Sequence, residues 1–260
     1  MRLDAEIVSR GILPSRERAK EKIKNKDILV NGKICVKPSA EVTDTDVIEF
    51  TGEKLKYVGR GGLKLERAVD FFGIDLKGLV CLDVGASSGG FTDCMLQRGA
   101  GLVYAVEVGH GQLAEKLLSD SRVVSMERTD IRNLDEKAFE KQPEFVCADV
   151  SFISLKLIIP YIYRLVSDNC ECVFLIKPQF EAGRSNIGKN GIVKSSKVHV
   201  NVINDIINFC TEIGFCIKGL CPSPVKGGSG NIEYLLYVAK GSGESCICDV
   251  KETVKTAMQE

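Results

Sequence analysis

Between residues 60 and 240, strand-like apolar runs alternate with stretches of helical spacing, and that alternation most narrows the folds open to this chain. The runs are Leu79–Val84, Leu102–Val106, Val123–Met126, Phe145–Ala148, Cys172–Ile176, Phe215–Leu220 and Ile232–Val238. Helical stretches such as Leu155–Leu165 and Val198–Ile213 lie between several of them. Such a pattern predicts a doubly wound, mostly parallel α/β sheet with a ligand crevice at the carboxyl ends of its strands. The polar tail after Gly241 ends in a stretch suited to a helix.

No run approaches the roughly 18 apolar residues that span a bilayer. The opening MRLDAEIVSRG carries acids and lacks the apolar core of a secretory leader. A cytoplasmic protein with no membrane role is expected. The 11 cysteines mostly sit singly in apolar segments, as Cys81, Cys94, Cys147, Cys210 and Cys216 do, which suits free thiols in a reducing compartment. Cys170/Cys172 and Cys246/Cys248 are C-x-C pairs rather than zinc knuckles, so no metal is expected.

Residues 1–50 read as a separate small α+β unit. Leu3, Ile7 and Val8 have helical spacing, and Gly11 suits the end of that helix. Ser15 is a candidate N-cap for a second helix with Ala19 and Ile23 inward. Ile28–Val30, Asn31-Gly32 and Ile34–Val36 form a hairpin signal, and Val42, Val47, Ile48 and Phe50 suggest a further short strand or two. Residues 51–59 read as a polar linker, placing the domains at 1–58 and 59–260.

The net charge is zero, so any nucleic-acid surface must come from local clustering. From Ser15 to Lys26 the bases Arg16, Arg18, Lys20, Lys22, Lys24 and Lys26 face only Glu17 and Glu21. Such a run can neutralise RNA phosphates, although a charge run alone is more often a solvated helix face. Arg2, Arg10, Arg16, Arg18, Lys20 and Lys24 are the candidate RNA contacts.

The sharpest local motif is Leu82-Asp83-Val84-Gly85-Ala86-Ser87-Ser88-Gly89-Gly90-Phe91, a buried strand entering a glycine turn that opens a helix. A P-loop would need a lysine that is absent. A dinucleotide loop needs a second glycine for the pyrophosphate, where this chain has Ala86-Ser87. S-adenosylmethionine has no phosphate and needs the turn without an anion cradle. Asp83, Gly85, Ala86, Ser87, Gly89, Gly90 and Phe91 would then border the methionine moiety, Glu107 the ribose diol, and Thr129, Asp130 and Ile131 the adenine. The plainer alternative is a tight βα turn with acids at solvated strand ends.

Four further polar residues occupy unusual places. Lys64 lies just ahead of the sheet, Asp149 ends the fourth strand, Lys177 ends the fifth and Glu233 opens the last. A lysine closing the apolar run Val173–Ile176 is costly unless partnered. Lys64 and Glu233 taken singly read as surface charges, and Asp149 equally as a helix cap or a site residue.

With these residues in view, residues 60–240 resemble the FtsJ-type ribose 2′-O-methyltransferases and their Lys-Asp-Lys-Glu tetrad. The strings RLDAEIVSRG, SRERA, GRGGLKLERA, LDVGASSGGFTDC, VGHGQL, ERTDIR, ADVSFISL, LIKPQFEAGR and GNIEYLLY resemble the TlyA (haemolysin A) family, which joins an S-four type RNA-binding domain to that enzyme. The resemblance implies a Rossmann-like class I methyltransferase domain with a small N-terminal RNA-binding domain. It also implies S-adenosylmethionine as cofactor and cytidine ribose of ribosomal RNA as substrate, with 23S RNA in the 50S subunit as the target. It makes Lys64, Asp149, Lys177 and Glu233 the catalytic set, with Lys177 as base and Asp149 also facing the sulfonium. Many family members carry Asp at the position of Glu107 and Asn at that of Asp130, substitutions that keep hydrogen-bonding ability. The rival functions are a non-catalytic ribosome-assembly protein, a pore-forming haemolysin and a nicotinamide-dependent oxidoreductase.

Overall fold

A computed structural model describes residues 1–13, 15–52, 56–241 and 243–259, so residues 53–55 of the expected linker lie outside the described residues. The chain packs as two compact units, Met1–Leu55 and Lys56–Glu260.

In the small unit, helix α1 (Leu3–Ser9) packs on α2 (Arg16–Lys24). Ser15 caps α2, its Oγ accepting the Arg18 N–H at 3.3 Å. Strands β1 (Ile28–Val30) and β2 (Lys33–Ile34) form the hairpin, with Asn31 (φ 51°) and Gly32 (φ 75°) in a two-residue primed turn. Strand β3 (Ile48–Phe50) pairs with the other side of β1. The second hairpin strand stops at Ile34, short of the expected Val36. Beyond it the chain bends at Pro38, where the carbonyls of Pro38 and Ala40 accept the Asp4 and Leu3 N–H groups at the start of α1. Leu3, Ile7, Leu13, Ala19, Ile23, Ile28 and Val42 form the core.

The large unit opens with α3 (Gly61–Phe72), β4 (Val80–Val84), α4 (Gly90–Gln97), β5 (Leu102–Glu107), α5 (Glu115–Leu118) and β6 (Val123–Glu127). It continues through β7 (Phe145–Ala148), α6 (Ile159–Leu165), β8 (Glu171–Ile176), α7 (Pro178–Glu181), α8 (Ser196–Ile213), β9 (Phe215–Pro222), β10 (Tyr234–Lys240) and α9 (Val250–Gln259). The expected helix Leu155–Leu165 is instead a 3-10 turn, Leu155–Leu157, followed by α6. Pro160 lies in the first turn of α6, where its missing N–H costs nothing.

The seven strands form one sheet in the order β6-β5-β4-β7-β8-β10-β9. Strands β4 to β8 pair in parallel, and β10 runs antiparallel to both β8 and β9. Side chains of successive strand residues go to opposite faces. Leu82, Val84, Tyr104, Val146 and Phe174 join α6, α8 and α9 on one side. Cys81, Val103, Phe145, Val173 and Leu175 join α3 and α4 on the other. No helix among the described residues is long and apolar enough to cross a membrane.

Asp83 is the polar exception inside β4. It is fully buried, and both the N–H and the Oγ–H of Thr92 donate to its Oδ2, at 2.9 and 2.7 Å. The carboxylate thereby ties the first turn of α4 to the strand. Burial pushes its pKa up to about 7, reinforced by the charge of Asp149 and opposed by the Thr92 hydrogen bonds. An acid raised in the folded state stabilises the fold only when protonated. Its contribution is complete below the unfolded carboxylate value of about 4 and is lost as pH climbs to about 7. Urea unfolding of wild type and Asp83→Asn across this range should therefore show wild type losing stability relative to the variant as pH rises, with a flat difference above it. A difference that is flat throughout would refute the burial account.

Candidate active site

The topology explains how four distant residues meet. Parallel strands β7 and β8 end on one edge of the sheet, where Asp149 and Lys177 follow their last residues. Strand β10 runs the opposite way, so its beginning lies on that same edge. Tyr234 pairs with Ile176, which sets Glu233, just before β10, beside Lys177. Lys64 comes from the first turns of α3. A Cβ at Gly90 would lie 2.9 Å from the Gly62 nitrogen and 3.2 Å from the Gly59 oxygen, so the backbones at the starts of α3 and α4 meet only because Gly90 has no side chain.

The four side chains form a continuous chain of charge. Lys177 Nζ is 2.6 Å from Asp149 Oδ1. The other oxygen of Asp149 is 3.6 Å from Lys64 Nζ, which donates to Glu233 Oε2 at 2.7 Å. Glu233 Oε1 accepts from Gln179 Nε2 at 3.2 Å, and Lys177 donates to Ser151 Oγ at 2.8 Å. Lys64, Lys177 and Glu233 are buried, and Asp149 is half-buried. Two ammonium groups thus face two carboxylates with no net charge, which makes their burial tolerable.

Ser151 and Gln179 escaped the sequence reading, although each lies two residues beyond a tetrad member. Buried Gln179 Oε1 has no hydrogen-bond partner among the described residues. A clip behind Glu233 escaped as well. Asn231 Oδ1 accepts the Val193 N–H, Asn231 Nδ2 donates to the Gly191 carbonyl, and His199 bridges the Val193 carbonyl and the Tyr234 hydroxyl at 2.9 and 2.8 Å. Burial lowers the His199 pKa, which favours the neutral ring. Phe152 is also new. It is 92% exposed with φ 64°, borders the cavity described next and packs on Phe180 at 5.1 Å between ring centroids.

Beside the tetrad lies a cavity of about 580 Å³. Of the expected cofactor residues, Gly85, Ser87, Glu107, Thr129, Asp130, Ile131 and Asp149 line it. Asp83, Ala86, Gly89, Gly90 and Phe91 are buried behind that surface. Gly85 has φ 85°, and a Cβ there would come within 2.7 Å of the Asp149 carbonyl oxygen, so this glycine joins the loop to the tetrad. Glu107 accepts the N–H groups of Ser87 and Gly109, each at 2.9 Å. A carboxylate has about four acceptor positions, which leaves room for a ribose diol. Asp130 is engaged differently from expectation: it takes the Arg132 backbone and guanidinium and caps the 3-10 turn Ile131–Asn133. Val84, Val106, Val108, Ile153 and Ile158 add apolar walls. Volume, acid and apolar lining fit an adenosyl group attached to a methionine.

In the small unit the expected RNA contacts separate into groups. The Arg10 guanidinium is taken up by Glu6 and by the carbonyls of Asp46 and Thr43. Arg18 pairs with Glu21 and is largely covered. Arg2, Arg16 and Lys20 gather around Asp4 with their own side chains about half exposed, and Lys24 is exposed.

Residues 57–240 match the family model described as FtsJ-like methyltransferase, and residues 1–48 match that of the S4 domain. A Bacillus subtilis (strain 168) protein, YqxC, described as a candidate rRNA methyltransferase, is 47% identical over 91% of this chain and 85% of its own length. The 16S/23S rRNA (cytidine-2′-O)-methyltransferase TlyA of Mycobacterium tuberculosis (strain H37Rv) is 40% identical over 91% of this chain and 89% of its own. The 23S rRNA (cytidine-2′-O)-methyltransferase TlyA of Campylobacter jejuni (strain 81-176) is 33% identical over 92% of this chain and 100% of its own. With a mostly parallel seven-stranded sheet, a cavity at the carboxyl ends of its strands and an S4 domain preceding it, this chain belongs to the TlyA family of FtsJ-like methyltransferases.

Proposed function

We propose that this chain methylates the 2′-hydroxyl of a cytidine ribose in 23S ribosomal RNA, acting in the cytoplasm on the 50S subunit. The observation that carries this is the double position of Asp149, which lines the cavity and also bridges the two lysines. When held in the cavity, S-adenosylmethionine would supply a methyl group activated on a sulfonium.

This chain's residues prepare the acceptor. A ribose hydroxyl is a poor acid, so it must be oriented and its proton removed as the new bond forms. Lys177 takes that proton as the free amine, after its own ammonium has passed one proton to solvent. Asp149 and Ser151 aim its amine, while Glu233 holds Lys64 on the far side of Asp149. Phe152 offers an exposed ring on which an unpaired base can stack. Arg2, Arg16, Lys20 and Lys24 bind RNA phosphates from the small unit. The 23S target is the RNA that the M. tuberculosis and C. jejuni enzymes have in common.

Transfer of labelled methyl groups to purified 50S subunits, 30S subunits and free 23S RNA tests the proposal. Label is expected on 23S RNA in 50S subunits. Lys177→Ala should lower the rate by about 10²–10⁴-fold while S-adenosylmethionine still binds. Label confined to 30S subunits would transfer the target to 16S RNA. Cofactor binding without label on any RNA would refute RNA as the substrate. A second variant, Gly85→Ala, should weaken both cofactor binding and turnover, because the new methyl group displaces the Asp149 backbone. Unchanged titrations and rates would show that the loop and the tetrad are independent.

A further inference from the structure

The small unit contains a buried acid that the proposed function leaves unexplained. Asp4 lies in the first turn of α1 and is fully buried. Its Oδ1 accepts from Arg2 Nε at 2.9 Å, and its Oδ2 from Arg2 Nη2 at 3.3 Å and from Arg16 Nη2 at 3.0 Å. Lys20 Nζ stands 4.0 Å from the same Oδ2. These cations come from separate places: Arg2 precedes α1, whereas Arg16 and Lys20 lie one turn apart on α2. The Arg2 hydrogen bond, helped by Arg16, holds the Asp4 pKa down at about 2, so the group is charged at every physiological pH.

Among the described residues, most donor capacity of these arginines remains open. A guanidinium has five N–H donors in a rigid planar fork. Arg2 gives two to Asp4 and Arg16 gives one. The side chains of Arg2, Arg16 and Lys20 are 51%, 53% and 45% exposed, whereas that of Asp4 is 0% exposed. The acid is therefore hidden beneath the cations it orders. One carboxylate sets the spacing of two guanidiniums that would otherwise repel each other and sample many rotamers.

We propose that Asp4 is a positioning residue for RNA, a buried carboxylate that locks Arg2 and Arg16 into a preformed grip on the phosphate backbone. This rests on the reading that Arg2 and Arg16 contact RNA. It makes an unusual prediction of sign. Asp4→Asn removes a negative charge and makes the surface more basic. If the cations act only as a diffuse positive field, the variant binds RNA more tightly and with a steeper salt dependence. If their arrangement matters, the variant binds more weakly despite its extra charge.

The experiment measures kcat and KM for 50S subunits, and the salt dependence of subunit binding, with the full chain as wild type, Asp4→Asn, Arg16→Lys and the double variant Arg2→Ala/Arg16→Ala. Thermal unfolding and S-adenosylmethionine binding report on folding. The double variant should raise KM and make the salt slope shallower by about one to two phosphate contacts. Asp4→Asn should raise KM in the same direction, leaving kcat at saturating subunits and cofactor affinity unchanged. Arg16→Lys keeps the charge, alters only a half-exposed side chain and loses the planar fork, so it should raise KM even if Asp4→Asn does not fold. Wild-type or tighter binding by Asp4→Asn, or by Arg16→Lys in its place, overturns the positioning role. A double variant with wild-type KM overturns the RNA reading of the arginines, and the positioning role with it.

Discussion

The arrangement at the sheet edge depends on one carboxylate meeting two lysines. Asp149 stands 2.6 Å from Lys177 and 3.6 Å from Lys64. Taking such charges out of water is expensive, and the cost is offset only by close partners with good geometry. Each element of the large unit supplies part of that geometry. The ends of β7 and β8 bring Asp149 and Lys177, reversed β10 brings Glu233, and the close approach of α3 to α4 brings Lys64. Removing Asp149 would leave two buried ammonium groups with one carboxylate, Glu233, to balance them. The fold is therefore constrained at this edge by electrostatics as much as by packing.

The glycine loop illustrates how structure and site share residues. The sequence suggested that Gly85 allows a cofactor to approach. Its left-handed backbone and the 2.7 Å approach of a virtual Cβ to the Asp149 carbonyl add a second requirement, contact with the next strand's end. Asp83 works from behind: it grips Thr92 and so fixes where α4 begins. The cavity surface then takes its polar groups from other residues, among them Ser87, Glu107, Thr129, Asp130 and Asp149, set among apolar side chains.

What could be read from the sequence was local. Strand-length apolar runs, the Asn31-Gly32 turn and the Ser15 cap all depend on neighbours within a few residues, and each has its structural counterpart. Lys177 drew notice because a lysine closing an apolar strand is a local anomaly. Lys64 and Glu233 did not stand out alone. They are 169 residues apart in sequence, and only topology or a family resemblance brings them together. The same limit hid the partners of Arg10, since the Asp46 and Thr43 carbonyls lie 36 and 33 residues away. It also hid the clip of Asn231 and His199 on Val193. A charge run shows where cations are plentiful, but not which of them are already occupied by internal acceptors.

The two units repeat one device with different cations. In each, an aspartate lies between basic side chains from separate elements: Asp4 between Arg2 and Arg16, Asp149 between Lys64 and Lys177. A guanidinium keeps its charge at any physiological pH and presents a rigid fork, which suits holding phosphate. An ammonium group is a single point of charge that can give up its proton in a shielded site, which suits accepting one from a hydroxyl. The acid performs the same task in both places, fixing positions and balancing charge. Under the roles proposed for the two sites, the choice of arginine or lysine beside the acid separates binding from reaction.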